Sequence, residues 1–366
     1  MSQRESPRSS RVSIQINQII NKPIEEPTFN YRAIILIKNK ISNPSEKSPP
    51  TTTPPSAILP VQNTTTSNPS EPSLPTTTTT TPAPTTMATP TNPLAFYDIA
   101  HRPPVSESCC SPNPSKTRLA LNLKRVPHKT TWVPMPDIAA VRTQLGVPPC
   151  RQFADGSDFH TLPVVVDPST APPTTLGDSF DIAAHLQHAY PDSGDGDLFP
   201  PGAQLDFALA PGSTAAMLVP LTPARESAYP AYAAFNVDVD AAFTAHVQLC
   251  VQGIPFDPAT AEASRAEFVR RAGVRAWEDF ALEGPARDKV VESFEETLGP
   301  LAGLFEGAGG PFLLGERACY ADCVVGGWLR MMAVTLPRGE WEMLRGWHGG
   351  VFGRLHDALE VYAEVK

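Results

Sequence analysis

Residues 109–124 read CCSPNPSKTRLALNLK, and this stretch decides the fold of the region around it. Ser111 is a residue type that favours the N-cap of a helix, and Pro112 suits the first turn, where a missing N–H costs nothing. We therefore expect a helix to begin directly after this serine. Its buried face is predicted to hold apolar residues and its solvent face basic ones: Leu119, Ala120 and Leu123, against Lys116, Arg118 and Lys124. At such a position, a capping role and a chemical role both remain open for Ser111.

Strands and helices alternate on both sides of this helix. Apolar runs bounded by turn residues predict strands, and amphipathic runs predict helices. In chain order the flanking elements are a strand LAFYDIA at 94–100, a strand HKTTWVPM at 128–135, a helix PDIAAVRTQLG at 136–146, a strand HTLPVVVD at 160–167 and a helix LGDSFDIAAHLQHAY at 176–190. This alternation is typical of a small α/β domain, which we assign to residues 93–192.

The rest of the chain predicts a second domain of a different kind. Residues 193–202 are rich in Gly, Asp and Pro and are interpreted as a linker. Over residues 203–366 the apolar side chains recur at helical spacing, which predicts an all-helical domain. Within it, Asp322 is spaced to bond a helix start as in a capping box, with Cys319 in the place of the usual serine.

The first quarter of the chain has a different composition. Thr, Pro and Ser dominate residues 48–93, and the whole chain contains 42 prolines. Such a segment lacks the apolar side chains that offset the entropy lost on ordering. We predict a disordered tail over residues 1–92, or a translation start at Met87 instead. An Arg- and Ser-rich beginning leaves an organellar transit peptide open, but no signal peptide or membrane-spanning run is recognised, so a cytoplasmic location is expected.

Charge and cysteine content narrow the function further. The net charge of −9 and the lack of a basic patch argue against nucleic-acid binding. Six cysteines without a signal peptide are expected to be thiols. The sequence predicts no metal site, because His185 and His188, three apart on a helix, have no third ligand nearby.

Three motifs together resemble the glutathione S-transferase superfamily, in particular fungal transferases related to bacterial β-etherases. SPNPSKTRLALNLK at 111–124 is similar to their S-P-N-x-W-K-T-R-x-A-L-N-Y-K run. DGSDFHTLPVVVDPST at 155–170 is similar to their cis-proline strand, and LGDSFDIAAHL at 176–186 to their acidic-Ser motif. The carboxy-terminal part most resembles transferases of the ustiloxin-cluster type. The resemblance covers nearly everything after residue 93, and it implies a thioredoxin-like amino-terminal domain followed by an all-α carboxy-terminal domain.

The same resemblance implies a site for glutathione as co-substrate. Ser111 would donate a hydrogen bond to the glutathione sulfur at the helix start, where a thiolate is stabilised, and Asn113 would assist. Six further residues are implied to bind the tripeptide: Gln152, His160, Leu162, Pro163, Asp178 and Ser179.

Each of these six has an implied partner in the tripeptide. Asp178 would hold the γ-glutamyl ammonium, and Ser179 would hold the carboxylate at a helix N-terminus. Leu162, before a cis Pro163, would pair through its backbone with the cysteinyl unit. Gln152 and His160 would contact the glycyl end.

Two residues depart from the fungal pattern and keep three functions open. Cys110 and Ser115 stand where tryptophan is usual, and omega-type relatives carry a cysteine at the place of Ser111. The first function is transfer of the glutathione thiol to a small hydrophobic electrophile, or cleavage of an activated ether. The second is non-catalytic ligand binding or regulation. The third is thiol oxidoreduction with Cys110 as the redox thiol. Dimers are usual in the superfamily, so a homodimer is one expectation.

Overall fold

A computed structural model describes residues 92–153, 155–209 and 226–366 of the chain. The predictions for the tail, including the alternative start at Met87, concern residues that lie outside these ranges. None of the helices in the described ranges is long and apolar enough to cross a membrane.

A four-stranded mixed sheet forms the centre of the amino-terminal part. The strands of this part are β1 Leu94–Ile99, β2 His128–Val133, β3 Arg151–Gln152, β4 Asp158–Phe159, β5 Val164–Asp167 and β6 Thr174–Leu176. The order across the main sheet is β2-β1-β5-β6, while β3 and β4 form a separate hairpin. β1 runs parallel to β2, from Leu94 opposite His128 to Ile99 opposite Val133, and antiparallel to β5. β6 in turn runs antiparallel to β5.

Four helices accompany these strands: α1 Val105–Ser108, α2 Pro112–Leu123, α3 Ile138–Gln144 and α4 Ser179–Ala189. A parallel pair of strands needs a crossover connection, and α2 supplies it between β1 and β2. α2 begins directly after Ser111, as predicted, and α4 begins directly after Asp178, within its predicted range of 176–190. This arrangement confirms the thioredoxin-like α/β domain.

The two faces of the sheet bury different sets of residues because side chains alternate along a strand. From β1, Leu94 and Phe96 enter the larger core, which continues without interruption into the helical part of the chain. The opposite face packs on α3 in a smaller core of six buried residues: Ile99, Val133, Ile138, Val147, Leu162 and Val164. The sheet therefore has one side against the helical part and the other against α3.

The remainder of the described chain is helical, which confirms the predicted all-α part. Its helices are α5 Pro230–Thr244, α6 Gln248–Val251, α7 Ala261–Ala272, α8 Gly284–Gly303, α9 Tyr320–Thr335 and α10 Arg338–Leu359. α10 is interrupted at residues 347–350, where His348 and the two glycines after it have positive φ. α9 packs extensively against α2, so the helical part covers the first helix of the thioredoxin-like domain.

The start of α9 has the side-chain bonding predicted for it. Cys319 is the N-cap, and its N–H donates to Oδ2 of Asp322 at 2.7 Å. The other carboxylate oxygen accepts the N–H of Leu313 at 2.8 Å, so the same carboxyl also fixes the preceding loop. Burial raises the pKa of Asp322 to about 6, although the two backbone donors act against the shift.

The predicted solvent face of α2 is wrong. Lys116, Arg118 and Lys124 are all buried, because α2 lies between the sheet, α4 and α9. Arg118 forms an ion pair with the buried Asp98 of β1, and the ammonium of Lys124 donates to the carbonyl of Pro191 at 2.9 Å. A buried charge is costly unless it is compensated. Lys116 and Arg118 are compensated by ion pairs with carboxylates, and Lys124 by hydrogen bonds to two backbone carbonyls.

Candidate functional site

The start of α2 presents a serine that does not cap its own helix. Ser111 occupies the N-cap position with extended backbone angles, but its hydroxyl makes no capping hydrogen bond. Pro112 follows without an N–H, so Asn113 is the first helical residue with a backbone donor. The helix start therefore keeps a half-buried hydroxyl and one backbone N–H, that of Asn113, because Pro114 also lacks an N–H and the N–H of Ser115 donates to the carbonyl of Ser111 at 3.0 Å.

The cysteine before this serine is enclosed by protein. Cys110 is 2% exposed, and its sulfur lies 3.5 Å from Nε2 of His101. Burial raises the pKa of the Cys110 thiol far above its ordinary value, and it also raises the pKa of the Cys109 thiol. Arg330 donates to the backbone carbonyl of Cys109 at 3.2 Å and so holds this loop against α9. Neither thiol has the exposure or the low pKa of a reactive cysteine.

The segment that leads into β5 contains the proline expected to be cis. The Leu162–Pro163 peptide bond is cis. Leu162 is buried, and its N–H has no backbone partner among the residues that the structure describes, while its C=O accepts the hydroxyl of Thr161 at 3.4 Å. This backbone is arranged to pair with an added extended peptide.

The first turn of α4 is capped by the side chain of the residue that precedes it. Asp178 is the N-cap, and its Oδ1 accepts the N–H of Phe180 at 2.9 Å and that of Asp181 at 3.4 Å. Ser179 follows as the first helical residue and is almost fully buried. The carboxylate also lies at the positive end of the helix, where it is favoured.

A cleft of about 230 Å³ lies between the starts of α2 and α4 and one side of α5. Asn113 lines it from α2, Asp178 and Ser179 line it from α4, and Asn236 and Asp240 line it from α5. We call it the polar cleft. It brings together three predicted site residues from two motifs that are distant in the chain.

Besides Cys110, five predicted site residues are not part of the described lining of the polar cleft: Ser111, Gln152, His160, Leu162 and Pro163. Gln152 is exposed on β3, and His160 follows β4. Burial lowers the pKa of His160, and the nearby Arg142 lowers it further. The hairpin that precedes His160 packs on α7, where the guanidinium of Arg271 lies 5.1 Å from the ring centre of Phe159.

Sequence reasoning missed most of the lining of the polar cleft, including two polar residues of α5. Asn236 and Asp240 are four apart on α5, and this spacing, which places them on one face, is the only sequence signal for them. Oδ1 of Asp240 accepts Nζ of Lys116 at 2.5 Å and Nε1 of Trp328 at 2.7 Å. Lys116 also donates to Oδ1 of Asn236 at 3.1 Å. The cleft wall is thus tied to α2 and α9 through one carboxylate.

Ser115 does not face this cleft. It lines a second, much smaller cavity of about 30 Å³, together with Cys109, Arg118 and Arg330. The absence of an aromatic side chain at Ser115 therefore affects a different side of α2 from the one that carries Asn113.

The fold and the site define a class of protein in which a thioredoxin-like domain and a helical domain share a cleft at helix starts. Comparisons with known proteins agree with this class. The sequence model of the glutathione S-transferase N-terminal domain matches residues 110–189, and that of the C-terminal domain matches residues 241–362.

Individual relatives are fungal. The glutathione S-transferase-like protein ustS of Aspergillus flavus is 30% identical over 275 residues, which cover 71% of this chain and 90% of that protein. A glutathione S-transferase of Ceriporiopsis subvermispora, solved in complex with glutathione, is 28% identical with a TM-score of 0.56, over 74% of this chain and 98% of that one. A glutathione transferase of Phanerochaete chrysosporium is 27% identical with a TM-score of 0.57, over 75% and 100% of the two chains. The chain belongs to the glutathione S-transferase family.

Proposed function

We propose that this protein binds glutathione and activates its thiol for transfer to a small hydrophobic electrophile. The observation that carries the proposal is the convergence of Asn113, Asp178 and Ser179 in the polar cleft. The C. subvermispora relative, which holds glutathione in its crystal structure, gives the proposal independent support.

The polar cleft suits the γ-glutamyl end of glutathione. The start of α4 carries a partial positive charge and favours a carboxylate, and Ser179 would offer it a hydroxyl and the backbone N–H that the Asp178 cap does not use. Asp178 uses Oδ1 for its cap, which leaves Oδ2 to accept from the ammonium. Asp240 lies across the cleft, but its carboxylate already accepts from Lys116, Trp328 and Asn236.

The segment at Leu162 suits the rest of the peptide. The N–H and C=O of Leu162 would pair with the cysteinyl unit as an added strand does. Gln152 and His160 flank this segment and would contact the glycyl carboxylate. Because the pKa of His160 is lowered, its imidazole would act there as a neutral N–H donor at physiological pH.

The start of α2 would activate the thiol. The hydroxyl of Ser111 donates a hydrogen bond to the sulfur, and the helix N-terminus stabilises the thiolate after its proton has passed to water. The amide of Asn113 adds a further donor. The thiolate then forms a carbon–sulfur bond with the electrophile, and the leaving group departs with its bonding electron pair. Cleavage of an activated ether is the same step with an oxygen leaving group.

A second candidate is a protein that binds glutathione without catalysis. It is favoured by Cys110 and Ser115, which stand where the family resemblance implies tryptophan, although Cys110 is buried and Ser115 lines a different cavity from the polar cleft. The third candidate, an oxidoreductase with Cys110 as its redox thiol, is disfavoured because that thiol is buried and its pKa is raised. A homodimer and a cytoplasmic location remain predictions.

Calorimetric titration of the chain with glutathione tests the proposal. We expect a micromolar to millimolar Kd that is weakened by Ser179→Ala. The matched control is Ser264→Ala, because Ser264 is equally buried in the first turns of another helix, α7, and does not line the polar cleft. An equal Kd in Ser179→Ala and Ser264→Ala would contradict the assigned site. No binding of glutathione by the native chain would refute the proposed function.

Turnover separates the two leading candidates. A panel of small aryl halides and epoxides would be assayed with glutathione, and Ser111→Ala would serve as the test variant. Conjugation that falls in Ser111→Ala while glutathione binding is retained supports the transferase. Glutathione binding without turnover of any electrophile supports the non-catalytic alternative.

A further inference from the structure

Arg142 of α3 is a buried cation that bonds to backbone carbonyls. Its Nη1 donates to the carbonyl of Thr161 at 2.6 Å and to that of Gly177 at 3.0 Å. Its Nη2 donates to the carbonyl of Pro148 at 2.5 Å. The side chain is 2% exposed, and it forms no ion pair with a carboxylate of the described residues.

The two carbonyls that accept hydrogen bonds from Nη1 of Arg142 each directly precede a residue proposed to bind glutathione. Thr161 directly precedes Leu162, whose backbone would bind the cysteinyl unit. Gly177 directly precedes Asp178, which caps α4 at the polar cleft. A guanidinium is planar and offers its N–H groups in a fixed fork, so one nitrogen that bonds both carbonyls sets the distance between the two segments.

Gly177 packs closely against the guanidinium of Arg142. A Cβ atom added to Gly177 would lie 2.5 Å from Nη2 and 2.9 Å from Nη1 of Arg142, and it would also clash with Val147. The sulfur of Cys150 lies 3.6 Å from the same Gly177 carbonyl. Glycine at 177 is therefore required by close packing against the arginine and not by its backbone angles.

We propose that Arg142 is a positioning residue for glutathione, which holds the Leu162 segment and the Asp178–Ser179 segment at the separation that spans the tripeptide. The proposal rests on the function proposed above. Arg142 itself does not line the polar cleft and acts through the two carbonyls that it holds.

Three variants test this role: Arg142→Met, which removes all donors; Arg142→Lys, which keeps the charge without the fork; and Gly177→Ala, which keeps the arginine but displaces its guanidinium. We expect Arg142→Met to raise the Kd and the KM for glutathione by about tenfold or more, since displacing a binding group by an ångström has effects of that order. Arg142→Lys should recover part of the loss. The KM for the electrophile should not change, because the electrophile is not bound by either segment.

The matched control is Arg287→Lys. Arg287 also donates to a backbone carbonyl, that of Leu249 at 3.0 Å, but it lies in the helical part and does not line the polar cleft. It should leave the KM for glutathione unchanged. Thermal unfolding of every variant identifies those that are folded.

The outcomes separate this inference from the function on which it rests. Failure of the native chain to bind glutathione refutes the proposed function. Glutathione binding by the native chain with an unchanged Kd in a folded Arg142 variant overturns the positioning role alone. If the Arg142 variants do not fold, Gly177→Ala decides the question by the same comparison. Loss of folding in all three would also overturn the proposal, because the residue would then serve stability instead of ligand geometry.

Discussion

α2 and α4 both begin at the polar cleft, but they are held in opposite ways. α2 starts at a serine that makes no cap, and its body contains three buried basic side chains, Lys116, Arg118 and Lys124. α4 starts at Asp178, which caps the first turn, and its inward face is apolar. The helix proposed to act on the thiol is therefore anchored along its body, and the helix proposed to bind the γ-glutamyl group is closed at its start.

In α2, helix stability and the proposed chemistry come from different residues, whereas in α4 one residue supplies both. A hydroxyl that is not used for capping is free to donate to a ligand, but the helix must then be fixed by other contacts. In α2 these contacts are ion pairs to α5 and to β1, so the position of Ser111 depends on both domains. In α4 one carboxylate oxygen serves the helix and the other faces the site, so stability and binding meet in one residue.

The largest expected effect comes from breaking the anchor of α2. Asp240→Ala leaves the fully buried Lys116 without its carboxylate, and we expect a loss of about 3–5 kcal/mol in the free energy of unfolding. Urea denaturation measures it. The control is Asp357→Ala, which breaks an exposed pair with Arg345 and should cost less than about 1 kcal/mol. Equal losses in the two variants would show that the buried pair does not anchor the helix.

Ser111→Ala tests the open start of α2. Loss of one donor to a developing anion lowers kcat by about 10²-fold in comparable sites, and we expect a fall of that order in conjugation. Because the hydroxyl makes no capping bond, the free energy of unfolding should change by less than about 0.5 kcal/mol. A large loss of stability with unchanged turnover would assign the serine to structure alone.

Asp178 tests the closed start of α4. Asp178→Ala removes the acceptor for two backbone N–H groups and should cost about 1 kcal/mol of stability together with glutathione affinity. Asp178→Asn keeps a capping oxygen but loses the charge, so we expect near-native unfolding with weakened binding. Chemical denaturation and calorimetry on both variants separate the two roles. Native glutathione affinity in Asp178→Asn would exclude an ammonium contact.

The start of α9 gives an effect that depends on pH. The folded pKa of Asp322, about 6, lies above its ordinary value of 3.8, so the folded state binds the proton more tightly than the unfolded chain does. The resulting stabilisation is complete below about pH 4 and is lost as the pH rises through about 6. We therefore expect the free energy of unfolding of the native chain to fall across this window relative to that of Asp322→Asn. Parallel pH profiles for the two proteins would contradict the raised pKa.

Structural features that are set by residues close together in the chain could be predicted from the sequence. The helix start at Ser111 follows from the residue types at 111 and 112, although its hydroxyl makes no cap, and the bonding of Asp322 to the start of α9 follows from the three-residue spacing. The cis bond before Pro163 came from the family resemblance and is found in the structure. In the helix start at Ser111 and in the Asp322 contact the partners lie within a few residues, so local geometry is sufficient, whereas the cis bond could not be predicted from spacing alone.

The environment of the basic residues of α2 could not be read in the same way. A periodic pattern shows which residues share a helix face, but it does not show whether another element covers that face. Asp240 lies 124 residues from Lys116, and the two meet only because α5 and α9 pack over α2. The two segments held by Arg142 likewise meet only in the folded chain. Local sequence determines where the helices begin, whereas tertiary packing decides which charges are buried and which groups face the cleft, because burial depends on surfaces supplied by distant parts of the chain.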